Sequence, residues 1–186
     1  VAIKAGVAHV PEDRTRVGTA PNLSITENTI MKNYREAPIG NGVTINRGNA
    51  RVYARKLKDS YAILAPGVRT LARKLSGGNL QKVILAREIS TDPKLMVAVQ
   101  PTRGLDVGAI EAIQRLLLDQ REAGTAVLLI SEELEELFSL SDRIAVIFHG
   151  QIMGILPVEN ADIDTIGQMM MGARLEEIVQ EQEVGS

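Results

Sequence analysis

Leu75-Ser76-Gly77-Gly78-Asn79-Leu80-Gln81-Lys82 is the stretch on which the reading of this chain turns. Two adjacent glycines stand just before Leu80, Val83, Ile84 and Leu85, apolar residues that recur at helical spacing. The stretch therefore predicts a helix with a glycine-rich N-terminus. The first N–H groups of a helix have no intrahelical partner, and the helix dipole favours an anion there. Glycine lets the backbone approach a phosphate closely. Ser76 adds a hydroxyl and Asn79 an amide. On Gly-Gly alone, a helix start with a flexible turn explains the pattern as well.

Working outward, Pro93 ends the helical stretch, and Leu95 to Val99 is an apolar run of strand length. It suits a buried parallel strand. A helix over about 108–122 places Ile110, Ile113 and Leu117 inward, with Gly124 as its stop. Thr125 to Ile130 reads as a second buried strand, and Glu132 to Leu140 as a short acidic helix with a solvated face. Ile144–Phe148 and Gln151–Leu156 flank His149-Gly150, a hairpin signal. Residues 162–182 read as helical with a break near Gly172.

Toward the N-terminus, Val7 to Val10 suits a strand and Pro11 opens a loop. Ser24-Ile25-Thr26-Glu27 is a capping box that starts a short helix reaching about Lys32. Residues 37–48 read as a loop, and a basic helix runs from about Ala50 to Ala62 before Pro66-Gly67. Alternating strands and helices from 95 to 140 predict a parallel α/β layer, with a mostly helical 24–75 stretch beside it.

With 186 residues and 45% apolar content the chain is long enough for one domain with a real core. It has no cysteine, which excludes disulfides and thiolate zinc sites. Its apolar runs are too short to span a bilayer. Net charge is −2, yet residues 1–104 hold 17 Lys/Arg against 7 Asp/Glu, and residues 105–186 hold 4 against 16. The basic density peaks over 47–74. Ordinary solvated faces account for this, and so does a surface for an acidic or phosphorylated partner. For nucleic acid there is little aromatic interleaving to stack bases. His9 and His149 suit structural positions, as do Met169, Met170 and Met171 in helix packing.

The 75–82 stretch resembles the signature motif of ATP-binding-cassette (ABC) ATPases. About 20 residues on, Pro101-Thr102-Arg103-Gly104-Leu105-Asp106 resembles that family's segment after the second nucleotide-binding motif, with its D-loop. Thr125–Ser131 and Ser141-Asp142-Arg143-Ile144 resemble the strand before the switch position and the closing hairpin. Val10-Pro11-Glu12-Asp13-Arg14 and Thr102 to Ala109 look like the second cassette of fused double-ATPase importers for sugars and nucleosides. The resemblance covers nearly the whole chain.

The resemblance implies an α/β fold: a partial RecA-like core with parallel strands, an α-helical signature subdomain, and a C-terminal hairpin and helices. Residues 1–23 would be core with the Q-loop equivalent and 24–75 the helical subdomain. Residues 76–156 would be core with the signature helix, and 157–186 C-terminal helices. Two cassettes would close head to tail on two ATP molecules with Mg²⁺. Ser76, Gly77, Gly78, Asn79 and Gln81 would contact ATP held by the other cassette, and Gly104, Leu105 and Asp106 would lie at the cassette interface. Membrane subunits and, indirectly, an extracytoplasmic solute-binding protein are the implied partners, at the cytoplasmic face of the membrane. No nucleic-acid partner is implied.

The chain departs from the family pattern at four places. The phosphate-binding loop is absent, and with Val1 as its first residue the chain reads as an excised piece that binds no nucleotide tightly alone. A core short of strands would expose a sheet edge and invite self-association. Val99 and Gln100 stand where Asp and Glu would organise Mg²⁺ and activate water. Glu132 stands at the switch histidine, and Glu12 at the glutamine that contacts Mg²⁺ and water. Loss of a positioned base costs roughly 10²–10⁴ in rate, so the chain's own site reads as degenerate. Two rival readings are a non-transport ABC ATPase acting on nucleic acid or ribosomes, and a scaffold with no nucleotide role.

Overall fold

The apolar alternation and glycine punctuation build two units in the computed structural model, which describes residues 3–184 and divides between Ile130 and Ser131. In the first, β1 (Val7–Val10), β2 (Leu95–Val99) and β3 (Ala126–Ile130) form a parallel sheet in that order. Val10 lies opposite Ala98, and Val99 opposite Ile130, so the carboxyl ends of the strands lie together. A parallel neighbour demands a crossover. Between β1 and β2 the crossover carries α1 (Ile25–Thr29), α2 (Arg47–Ser60) and α3 (Gly77–Ile89). Between β2 and β3 it is α4 (Val107–Glu122).

Helix α3 is the hub. Leu80, Val83, Ile84, Leu85 and Ala86 are all buried, as expected of a helix with apolar contact on every side. It packs on β1, α1, α2 and α4. Ile25, Leu57, Ile63, Val83 and Ala86 form one cluster, which joins the helical stretch to α3. Each such aliphatic side chain contributes about 1.5–3 kcal/mol when fully buried.

The expected capping box at Ser24 is present: the Ser24 side chain accepts from the Glu27 N–H, and Glu27 accepts from the Ser24 N–H at 2.8 Å. Its serine bonds hold the Glu27 carboxyl below its ordinary pKa. Helix α1 nonetheless ends at Thr29 rather than Lys32, and turns follow. Helix α2 starts earlier than expected, at Arg47, because Asn46 caps it by accepting from the Asn49 N–H at 3.0 Å. Full burial of the strands is corrected. β2 alternates between buried and half-buried residues, and β3 alternates half-buried with exposed, Leu128 and Ile130 among the exposed. Among the described residues β3 has a single strand neighbour, β2.

The second unit holds α5 (Leu134–Leu140), β4 (Arg143–Phe148), β5 (Gln151–Pro157), α6 (Ile163–Met170) and α7 (Leu175–Val184). The expected hairpin forms, antiparallel, with His149 and Gly150 both at positive φ in the turn and an irregularity between Val146 and Ile147. Ile144, Val146, Met153, Leu156, Ile166, Met169 and Ile178 make its core. Two expectations are corrected. The face of α5 is not uniformly solvated, because Glu136 is buried. Of the three methionines only Met169 packs inside, while Met170 and Met171 are exposed.

Candidate functional site

β1 and β2 deliver their following loops to the same end of the sheet, where open α/β sheets hold ligands. The β1 loop carries Glu12 and Arg14. The β2 loop carries Gln100, Arg103, Gly104 and Leu105 and leads into α4. The N-terminus of α3 abuts them.

Ser76 is the N-cap of α3 and is exposed. Its Oγ accepts from the Asn79 N–H at 3.4 Å and from Asn79 Nδ2 at 2.9 Å. These bonds occupy acceptor capacity and leave the hydroxyl proton available. Among the described residues no donor–acceptor pair engages the N–H of Gly77 or Gly78, as expected of the first helical turn. The Asn79 Oδ1 accepts from the Leu64 N–H at 2.7 Å. Lys82 donates to the Ala62 carbonyl at 3.3 Å beside it. Gln81 is 1% exposed, and its Oε1 has no partner among the described residues. Ser76 and Gly77 are therefore exposed, Asn79 is half-buried, and Gln81 is enclosed in the helix packing.

The glycines also serve packing. A Cβ on Gly78 would lie 2.7 Å from the Ala109 Cβ, and one on Gly77 would lie 3.2 Å from Leu105 Cδ2. Close approach of the α3 and α4 N-termini requires a bare backbone at Gly78. Gly78→Ala is expected to destabilise by about 1–3 kcal/mol through overpacking. Ala109→Gly in the same chain is expected to recover most of the loss, as read from thermal or urea midpoints.

Asp106 caps α4, its Oδ1 accepting from the Ala109 N–H at 2.9 Å. Gly104 has φ +66°, which lets the loop turn into that cap. Gln100 is a non-glycine residue at φ +48°, 8% exposed, with its N–H bonded to the Ile130 carbonyl at 2.8 Å. The strand end is thus fixed, but Val99 and Gln100 place no carboxylate there. Glu12 pairs with Arg103. Among the described residues no group of three His, Cys, Asp or Glu could hold a metal. The donor set at the end of β2 does not fit Mg²⁺. Glu132 is exposed and belongs to the second unit.

Sequence reasoning assigned no role to Arg14 or Arg103. Arg14 donates from Nη2 to the Arg103 carbonyl, and burial lowers its pKa from the ordinary arginine value. The two positions are 89 residues apart, and only the adjacency of β1 and β2 brings them together.

No protein-family model matches the chain. It is 50% identical over 174 residues to the glucose import ATP-binding protein TsgD13 of Haloferax volcanii, covering 91% of this chain and 31% of that protein. It is 43% identical to the guanosine import ATP-binding protein NupO of Bacillus subtilis, covering 94% of this chain and 34% of that protein. The xylose import ATP-binding protein XylG of Thermoanaerobacter pseudethanolicus is 38% identical over 174 residues, with 93% and 34% covered. The chain spans about a third of the length of these relatives. Among solved structures, the fold is similar to the ATP-binding cassette MJ0796 in a dimeric post-hydrolysis state bound to ADP and Pi. The TM-score is 0.68 at 20% identity, with 83% of this chain and 64% of that chain covered.

Proposed function

We propose, from the premise that this chain belongs with the ABC-type import ATP-binding proteins it resembles, that it supplies half of a composite ATP site in an importer of sugars or nucleosides. Ser76, Gly77 and Gly78 would hold the terminal phosphate of ATP carried by another cassette. The Ser76 hydroxyl and the first N–H groups of α3 are donors suited to an anion. Bound there, ATP would supply the phosphoryl group whose transfer to water drives transport. Asp106, at the head of α4, would lie at the cassette interface. The 24–75 helical stretch would face membrane subunits at the cytoplasmic side of the membrane, and a solute-binding protein would deliver the solute to those subunits. Among the described residues no helix is long and apolar enough to cross a membrane.

The supporting observation is a mismatch between two neighbouring features. The turn at Ser76–Gly78 has free donors, whereas the end of β2 offers valine and glutamine where a metal and a general base would need carboxylates. A neutral amide is no general base. The chain's own site would therefore contribute little hydrolysis, and its turn would serve the opposite site. In the full-length protein, Gln100→Ala is expected to leave the rate of phosphate release within about twofold, because no base is removed. A fall of about tenfold or more would assign Gln100 a part in turnover and defeat the asymmetric reading.

One observation favours the nucleic-acid reading. Arg47, Arg51 and Arg55 recur at helical spacing along one side of α2, and neither Arg51 nor Arg55 has an acidic partner among the described residues. Retention of the full-length protein on nucleic acid, without association with membrane subunits, would support that reading over import.

A further inference from the structure

We propose that Arg14 is a positioning residue that ties the loop after β1 to the loop before α4, on which the α3 N-terminus packs, and so sets the placement of the Ser76–Gly78 clamp. The inference rests on the reading above, in which that clamp acts on ATP held by another cassette.

The Arg14 backbone is held before its side chain acts. Asp13 Oδ1 accepts from the Thr15 and Arg16 N–H groups at 3.0 and 2.8 Å. The Asp13 carbonyl accepts from the Val17 and Gly18 N–H groups at 3.1 and 2.9 Å. Thr19 Oγ1 donates to the Arg14 carbonyl at 3.0 Å. From this loop the half-buried guanidinium bonds the Arg103 carbonyl. Its Nη1 lies 3.3 Å from where a Cβ on Gly77 would stand, beside Leu105 Cδ2 at 3.2 Å. One side chain therefore bonds the loop before α4 and lies beside the first turn of α3.

The same loop is fastened again near the far end of α3. Arg87 Nη1 donates to the Gly18 carbonyl at 2.9 Å. A Cβ on Gly18 would lie 2.5 Å from Ile84 Cδ1, so the backbone rests directly on the helix. The β1 loop is thus held at Arg14 to the loop before α4 and at Gly18 to α3. Glu12 takes part through Arg103, but that ion pair is exposed, at 52% and 57% side-chain accessibility. Exposed pairs hold geometry weakly. The fastening thus falls to Arg14, whose planar fork offers several donors in fixed directions. A displacement of about 1 Å at a reacting group can cost on the order of 10²-fold in rate.

The test uses the full-length protein assembled with its membrane subunits. Arg14→Met is expected to lower kcat for ATP about tenfold or more while KM for ATP stays within about twofold, because nucleotide loads on the other cassette's phosphate loop. Arg14→Lys, which keeps the charge and loses the fork, is expected to fall between Met and the parent. Arg16→Met, an exposed neighbour, is expected to match the parent. Amide hydrogen exchange should speed up over 76–79 and 103–106 in Arg14→Met and stay unchanged in β2. The proposal is overturned if Arg14→Met retains kcat within about twofold, or if Arg14→Lys behaves as the parent and exchange over 76–79 is unchanged. An unaffected rate in Gly77→Asp would instead remove the clamp reading itself, a separate failure.

Discussion

Replacing Glu88 with alanine is expected to cost about 3–5 kcal/mol, the penalty for leaving buried cations without their anion. The Glu88 carboxylate is 2% exposed and is shared by three segments of chain. It accepts from the His9 N–H of β1 at 2.9 Å and from Arg87 Nε at 2.9 Å, and it pairs with Lys32. Lys32 and Arg87 are themselves only 13% and 9% exposed. Alanine would strand both, and would leave the His9 N–H without its acceptor. A loss of that size is a large fraction of the about 5–15 kcal/mol that holds a typical domain folded. The urea midpoint should therefore fall sharply. Glu88→Gln keeps an acceptor for His9 and should lose less. Lys32→Met combined with Glu88→Gln removes one stranded cation and should recover part of the difference. If Glu88→Ala shifted the midpoint no more than a surface substitution such as Glu111→Ala, this network would not anchor α3.

That network shows where the sequence was legible and where it was not. The glycine pair, the helix after it, the capping box at Ser24, the parallel run at 95–99 and the hairpin about His149-Gly150 are all local patterns. Each rests on spacing or on turn chemistry within a few residues, and each is present in the structure. The burial of Glu88, Glu136 and Gln81 is not local. Glu136 lies in α5, whose acidic residues read as a solvated face, while α3 is enclosed by four neighbouring elements and Gln81 and Glu88 are buried with it. The exposed face of β3 follows from its place in the sheet, since an apolar run alone does not tell a central strand from an outer one.

The candidate site divides in the same way. Gly77 and Gly78 announce themselves in sequence, although as phosphate-contacting residues. The structure adds a steric reason at Gly78, its contact with Ala109, which no spacing could have revealed. Asp106 stands at the α4 N-cap, where a short acidic residue is favoured for accepting an N–H. Arg14 and Arg103 were visible only as members of family-like phrases. Their contact depends on β1 and β2 lying side by side.

The second large effect tests the central claim, that Ser76–Gly78 is a phosphate clamp and not merely a helix start. Gly77→Asp separates the two. Gly77 is the first residue of α3, where an aspartate complements the helix dipole and should maintain or raise stability. Its Cβ position lies 3.2–3.3 Å from Leu105 Cδ2 and Arg14 Nη1, both ends of side chains that can give slightly. A carboxylate there would face the phosphate that the turn is proposed to hold. Removing one such preorganised donor costs on the order of 10²–10³ in rate elsewhere, and adding a negative charge should cost at least as much. The decisive measurement is ATP turnover by the full-length Gly77→Asp protein, paired with its unfolding midpoint. A phosphate clamp at Ser76–Gly78 requires turnover reduced by about 10²-fold or more with the midpoint unchanged or raised. Turnover equal to that of the parent, with the fold intact, would contradict it.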